Sequence, residues 1–338
     1  MSGSAARKRM VTTVDSHTAG HPTRVVTGGL PPLHGFTVAE RSEDFRARFD
    51  DLRTFLLHEP RGHAAMVGAV LTESSRADFG AFFLGSYKYL EMCGHATIGL
   101  AVTLDHLGLV GPGPDGTARF SLEVPAGLVA VSLVYEEGAV SRVSFDNVPA
   151  YLVAQDVGVE VEGRFLAADI AYGGNWYALM DARAAGVTLS PAGVSEALTR
   201  GAAVKRTVNA LIAAGRVAGV AGPVDSVLFY DAAEDAEGLV SRQLVVLESN
   251  KFDRSPCGTG TSARLAQLIG RNQLAPGQPI RSRNILGIDF LASATRIEPD
   301  GTGRPRIRPS VSGLAHITGL HTFLSTAGDP LPAGFLCR

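Results

Sequence analysis

The sequence predicts an α/β protein built from two similar halves, and three observations predict it: size, β- and α-periodic segments in both halves, and a short repeat present once in each. At 338 residues the chain exceeds the roughly 250–300 residues at which a single hydrophobic core stops growing, so two domains are expected. We draw them as residues 1–150 and 151–338, with about the last 20 residues free to pack back onto the first. Apolar residues make up 45% and charged residues 19%, a balance that allows long buried stretches and argues against disorder.

The elements follow in order. Val11 to Val14 reads as a strand, then a polar turn through Asp15-Ser16-His17-Thr18-Ala19-Gly20, then a second apolar run near Val25-Val26. Phe45, Phe49, Leu52 and Leu56 stand at the i, i+4, i+7, i+11 spacing of an amphipathic helix over residues 43–57, with the breaker Pro60 behind it. After the turn cluster Gly111-Pro112-Gly113-Pro114-Asp115-Gly116 come two β-rich runs, 128–135 and 140–145, separated by Glu136-Glu137-Gly138 as in a hairpin. Ser190-Pro191 supplies an N-cap and first turn for a long helix carrying Val194, Leu198, Val204, Val208 and Leu211.

The repeat is Cys93-Gly94-His95-Ala96-Thr97 in the first half and Cys257-Gly258-Thr259-Gly260-Thr261 in the second, both Cys-Gly-x-x-Thr. Each leads a helix-compatible segment, with Ile98, Ala101 and Val102 on one face of the first and Leu265, Leu268 and Ile269 on one face of the second. No longer series of repeats is visible, so the pattern is that of one duplicated domain.

Composition narrows the function. The net charge is −2 and the basic residues are scattered, so no nucleic acid or anionic membrane is expected as a partner, and the substrate should be small. The basic cluster Arg7-Lys8-Arg9 is followed by no signal-peptide core, and no run approaches the ~20 apolar residues of a membrane span, so a cytoplasmic location is expected. The three cysteines, at 93, 257 and 337, make neither a disulfide framework nor a C-x-x-C zinc spacing. His17 and His63 do not stand at metal-ligand spacing, so no metal is expected; Glu59 and Arg61 read as structural groups of a turn, and Cys337 as inert.

A cysteine leading into a helix sits near unsatisfied N–H groups and the positive end of the helix dipole, which favour thiolate and can also hold a carboxylate. Glycines at 94, 258 and 260 allow a ligand close to the backbone. Two such helix starts facing one another would carry a base and an acid on opposite faces of a substrate, the requirement for inverting a carbon centre. A modest depression of a thiol pKa from about 8.5 would bring one sulfur near neutral pH, the two titrating as a coupled pair. His95 and Asp253 could face a substrate ammonium, or serve as a hydrogen-bonded turn residue and a cap or turn carboxylate.

At these cysteines the sequence resembles the proline racemase family, which includes proline racemase, 4-hydroxyproline 2-epimerase and trans-3-hydroxyproline dehydratase. The landmarks are Asp15-Ser16-His17-Thr18-Ala19-Gly20, Glu59-Pro60-Arg61-Gly62-His63, Met92-Cys93-Gly94-His95-Ala96-Thr97-Ile98-Gly99, Gly173-Gly174-Asn175-Trp176, and Asp253-Arg254-Ser255-Pro256-Cys257-Gly258-Thr259-Gly260-Thr261. The resemblance implies two pseudo-symmetric α/β domains of the diaminopimelate-epimerase type, with the active site in the cleft between them and no pyridoxal phosphate or metal. It implies Cys93 and Cys257 as the catalytic thiols, His95 and Asp253 around the substrate nitrogen, and Gly94, Gly258 and Thr259 as donors to the carboxylate.

Dehydratases of the family typically carry threonine where this chain has Cys257, which argues against a lyase. Proline racemases carry aromatic residues at the positions of Val67 and Leu247; smaller side chains there would leave room for a ring hydroxyl. Gly173-Gly174-Asn175-Trp176 looks like the epimerase branch, His63 and Met66 like the racemase and dehydratase branches. The resemblance thus implies interconversion of trans-4-hydroxy-L-proline and cis-4-hydroxy-D-proline, with proline racemisation as the alternative. A non-catalytic amino-acid binding protein is disfavoured, because binding alone gives no reason for two matched thiols. A homodimer is the assembly left open.

Overall fold

A computed structural model of the chain describes residues 9–299, 301 and 303–337. Of the basic cluster near the N-terminus, Arg7 and Lys8 lie outside the described residues. The elements run β1 (Arg9–Thr18), β2 (His21–Gly28), α1 (Val38–Leu57), β3 (Val67–Thr72), β4 (Phe79–Gly85), β5 (Tyr89–Leu90), α2 (Gly94–His106), β6 (Thr117–Val124), β7 (Gly127–Glu136) and β8 (Ala139–Asp146). They continue with β9 (Tyr151–Val161), β10 (Arg164–Tyr172), β11 (Trp176–Asp181), α3 (Val194–Ala213), β12 (Ser226–Asp235), β13 (Gly238–Glu248) and β14 (Lys251–Asp253). The last are α4 (Gly258–Gly270), β15 (Ile280–Arg283), β16 (Asp289–Ile297), β17 (Arg306–Gly313) and β18 (Ala315–Ser325).

The chain forms two compact units, each discontinuous in sequence. The first gathers the described residues up to Met92, Ala96–Ser141 and those from Leu314 onward; the second gathers Cys93–His95 and Arg142–Gly313. In the first, β18 pairs antiparallel with β1, β1 with β2, β3 with β4 and β4 with β5, whereas β2 pairs parallel with β3 and β4 with β6. In the second, β9 pairs antiparallel with β10, β10 with β11, β12 with β13 and β13 with β14, whereas β11 pairs parallel with β12 and β13 with β15. The two lists are the same list. Each parallel pair needs a crossover, and a helix supplies it: 20 residues for α1 and for α3, 13 for α2 and for α4. The α/β architecture read from the sequence is therefore present, with one pairing scheme used twice.

Local chemistry explains where element ends differ from the sequence reading. The first helix begins at Val38, earlier than the apolar period alone indicates, because Thr37 and Glu40 close a reciprocal capping box in front of it. Phe49 departs from helical geometry (φ −138°, ψ 21°) and is part-buried, while Phe45, Leu52 and Leu56 are fully in the core. Ser190 is extended but makes no side-chain cap, and a 3-10 turn at Pro191–Gly193 starts the run into α3 instead. Glu137 and Gly138 turn β7 into β8, both with positive φ.

The polar segment Asp15–Thr18 is strand, not turn; only Ala19 and Gly20, both at positive φ, make the bend. Its one charge is paired internally. Asp15 accepts from Arg24 Nε at 3.0 Å and Nη2 at 2.7 Å, and Arg24 also reaches the carbonyls of Leu56 and, at 2.7 Å, Arg61. Both side chains are nearly buried, so the pair ties the β1–β2 hairpin to the end of α1. Removing one partner strands the other's charge. Asp15→Ala should lower the unfolding free energy by about 3–5 kcal/mol, read from the urea midpoint; a loss below about 1 kcal/mol, the surface-pair range, would contradict this account.

Candidate active site

Cys93 immediately precedes α2 and Cys257 caps α4, so the two cysteines occupy matching places, each at the start of the second crossover helix of its pairing scheme. The segment 93–95 nevertheless belongs to the same compact unit as Cys257. A β-carbon on Gly94 would stand 2.8 Å from both the Gly258 Cα and the Phe145 Cζ; one on Gly258 would stand 2.9 Å from the Gly94 Cα and 3.0 Å from the Phe145 Cζ. The two Cys-Gly dipeptides therefore touch backbone to backbone against the Phe145 ring, an approach open only to glycine.

The loop before Cys257 is wound tightly. Asp253 Oδ1 accepts from the Ser255 amide at 2.9 Å and hydroxyl at 2.7 Å, and Ser255 Oγ in turn accepts from the Cys257 amide at 3.0 Å. Gln243 Nε2 donates to the Pro256 carbonyl and, at 2.9 Å, to Thr261 Oγ1. These bonds hold Cys257 at φ 64°, ψ 101°, a left-handed conformation that carries about 1–3 kcal/mol of strain in a non-glycine residue and collects at functional sites. Asp253 is thus a turn carboxylate through one oxygen, while its other oxygen stands 3.9 Å from His95 Nδ1. His95 Nδ1 is also 3.4 Å from Cys93 Sγ. Cys93, His95, Asp253 and Cys257 are all buried.

Strand parity delivers the remaining groups. Along β11, β12 and β13, Ala178, Met180, Val227, Phe229, Leu244 and Val246 pack with α3. The alternate residues Tyr177, Leu179, Leu228 and Val245 pack with Cys257 and Ala263, with Leu247 part-buried beside them. Tyr177 Oη consequently lies 3.3 Å from Cys257 Sγ and 2.7 Å from Thr259 Oγ1. Asn175 Nδ2 donates to Thr259 Oγ1 at 3.4 Å. Gly173 permits this: a β-carbon there would fall 2.2 Å from the Thr259 carbonyl oxygen.

Burial dominates the electrostatics. It pushes the Cys257 thiol well above its usual pKa, and the Asp253 carboxylate pushes the same way; hydrogen bonds from Tyr177 and the Gly260 amide pull down but do not win. The expected depression by the helix start is thus corrected for Cys257, because desolvation outweighs the helix-terminal amide. The Tyr177 phenol is likewise raised, first by burial and then by Cys257. Burial brings the Lys251 ammonium down to about 8, against the opposing pull of Cys93 and Asp253.

Of the residues singled out in the sequence, Cys93, Gly94, His95, Asp253, Cys257, Gly258 and Thr259 share the second unit, and Leu247 flanks Cys257 there. Val67 lies buried on β3 in the first unit. Sequence reasoning missed Tyr177 and Lys251. Tyr177 directly follows the Gly173–Trp176 block, and the alternation of β11 was the available signal; Lys251, two residues before Asp253, had none, since a buried lysine looks like any other in sequence.

Comparison with known proteins identifies the family. The profile of the family described as "Proline racemase" matches residues 13–336. The 4-hydroxyproline 2-epimerase of Streptosporangium roseum is 39% identical over 97% of this chain and 99% of its own length. The proline racemase of Acetoanaerobium sticklandii is 34% identical over 95% of this chain and 97% of its own. Among solved structures, a hydroxyproline epimerase from Agrobacterium vitis with bound trans-4-hydroxy-L-proline superposes with a TM-score of 0.86 at 30% identity, covering 97% of this chain and 96% of that one.

The glycine contact is directly testable. Gly258→Ala should push the two helix starts apart, destabilising the protein by about 1–3 kcal/mol and speeding alkylation of Cys93 and Cys257 in peptide-resolved mass spectrometry. Unchanged melting and unchanged alkylation would show that the backbones are not in contact.

Proposed function

The chain belongs to the proline racemase family, and from that premise we propose that it is a cofactor-independent 4-hydroxyproline 2-epimerase, interconverting trans-4-hydroxy-L-proline and cis-4-hydroxy-D-proline. The observation that carries the reading is the abutment of Gly94 and Gly258, which gives two buried cysteines adjacent helix starts within one compact unit. One thiolate takes the α-proton, the other thiol returns a proton to the opposite face, and the reverse reaction exchanges their roles. Cys257, held neutral by burial and by Asp253, starts as the acid toward the isomer that Cys93 deprotonates.

The hard part is the weak acidity of the α-carbon. Amides at Gly94, Gly258 and Thr259 take the substrate carboxylate and stabilise the charge that develops on it, most effectively where water is excluded. His95 and Asp253 flank the ring nitrogen. Val67 and Leu247 stand where proline racemases carry aromatic rings, and their smaller side chains favour a substrate that bears a 4-hydroxyl. Leu247 bears on this most directly, because it packs in the apolar patch that holds Cys257. The substrate is a free amino acid, and the enzyme works in the cytoplasm, where both thiols stay reduced. Among the described residues no helix is long and apolar enough to cross a membrane.

The test is incubation with pure trans-4-hydroxy-L-proline and, separately, L-proline, followed by chiral chromatography. We expect cis-4-hydroxy-D-proline to form and proline to turn over about tenfold or more slowly. Cys93→Ser and Cys257→Ser should each lower kcat by about 10²–10⁴. Faster inversion of proline would make the protein a proline racemase, a cyclic imine from 3-hydroxyproline would make it a lyase, and a serine variant of near-normal rate would remove that cysteine from the mechanism.

A further inference from the structure

We propose that Tyr177 is a positioning residue whose hydroxyl serves Cys257 in both of its protonation states, at the end of a hydrogen-bond chain that runs from Asn175 through Thr259. The inference rests on the two-thiol reading above and deepens it. The chain is Asn175 Nδ2 to Thr259 Oγ1 at 3.4 Å, Thr259 Oγ1 to Tyr177 Oη at 2.7 Å, and Tyr177 Oη to Cys257 Sγ at 3.3 Å. The direct path from Thr259 Oγ1 to Cys257 Sγ is longer, 3.8 Å, so the phenol is the sulfur's nearer hydroxyl.

Proton inventory gives the chain a direction. A thiolate only accepts, and the amide nitrogen of Asn175 only donates; each hydroxyl between them has one proton to give. With Cys257 as thiolate, Asn175 donates to Thr259, Thr259 to Tyr177, and Tyr177 to the sulfur. With Cys257 as thiol, the S–H can donate to Tyr177 and the phenol proton turns toward Thr259. Both arrangements use the same heavy-atom positions and differ by rotation of hydroxyl hydrogens. A residue that alternates between base and acid needs a partner that both donates and accepts, and a phenylalanine ring of the same shape could do neither.

Position excludes a purely packing role for the hydroxyl. The ring lies with Leu179, Leu228, Val245 and Ala263, contacts that phenylalanine would keep. Burial and the Asp253 carboxylate, from β14, raise the pKa of the Cys257 thiol, and the hydrogen bond from Tyr177, on β11, lowers it. Tyr177 therefore joins the Gly260 amide in easing Cys257 toward thiolate against burial and Asp253.

The experiment measures peptide-resolved alkylation of Cys257 against pH, together with kinetics in both directions. Tyr177→Phe should raise the alkylation midpoint by about one unit, making Cys257 about tenfold slower to react at any pH below it. In the direction in which Cys257 is the base, it should lower kcat by a similar factor with KM little changed and move the acid limb of the pH–rate profile upward; in the other direction, where Cys257 is the acid, the alkaline limb moves upward instead. Tyr177→3-fluorotyrosine, a stronger donor of nearly the same shape, should move the midpoint down, and it decides the matter if the phenylalanine variant folds poorly. A midpoint unmoved by either change would overturn the proposal. If the wild-type protein inverts no proline isomer while the midpoints still shift, the epimerase reading fails and the role of Tyr177 toward Cys257 stands; if it is active and they do not, the reverse holds.

Discussion

Two glycine backbones in contact fix the geometry on which the candidate site depends. Gly94 and Gly258 each follow a cysteine, each opens a helix, and each excludes a β-carbon because the other occupies the space. That contact sets how far apart the two thiols can be. It also brings the first residues of two helices together, and helix-start N–H groups suit a carboxylate. Phe145, from β8, packs against both glycines and is itself fully buried.

Around that contact, burial and hydrogen bonding oppose one another. Helix starts favour thiolate, yet burial and the neighbouring Asp253 carboxylate push the Cys257 thiol toward its protonated form. A resting thiol is useful in a reaction that needs one acid and one base. The strained backbone at Cys257 is held by Ser255 and Gln243. Ser255 ties that loop to Asp253, so the residue that raises the thiol also helps to orient it.

Sequence alone made the cysteines legible, because a five-residue repeat at two helix starts is a local pattern with a local cause. Polarity was a poorer guide. Asp15–Thr18 looked like a turn because its charge has a partner, Arg24, across a hairpin that periodicity does not reveal. The first helix was recognised by its apolar period but its start was set by the Thr37–Glu40 box, outside that period. Tyr177 stands one residue past the Gly173–Trp176 block, and its place beside Cys257 follows from the alternation of β11 between the α3 face and the Cys257 face. Groups brought near the cysteines only by folding, Lys251 among them, leave no local trace. The duplicated pairing scheme explains why two short motifs so far apart in sequence have matching surroundings.

The central claim is that two separate thiols handle the α-proton, one on each face. The most direct measurement is a short incubation of trans-4-hydroxy-L-proline in D₂O, stopped at low conversion, with deuterium at the α-carbon quantified by mass spectrometry in product and recovered substrate. Two thiols predict deuterium in nearly all of the cis-4-hydroxy-D-proline and almost none in the remaining substrate. Equal labelling of both isomers would point to a single base, and an unlabelled product to direct return of the abstracted proton; either result would contradict the account.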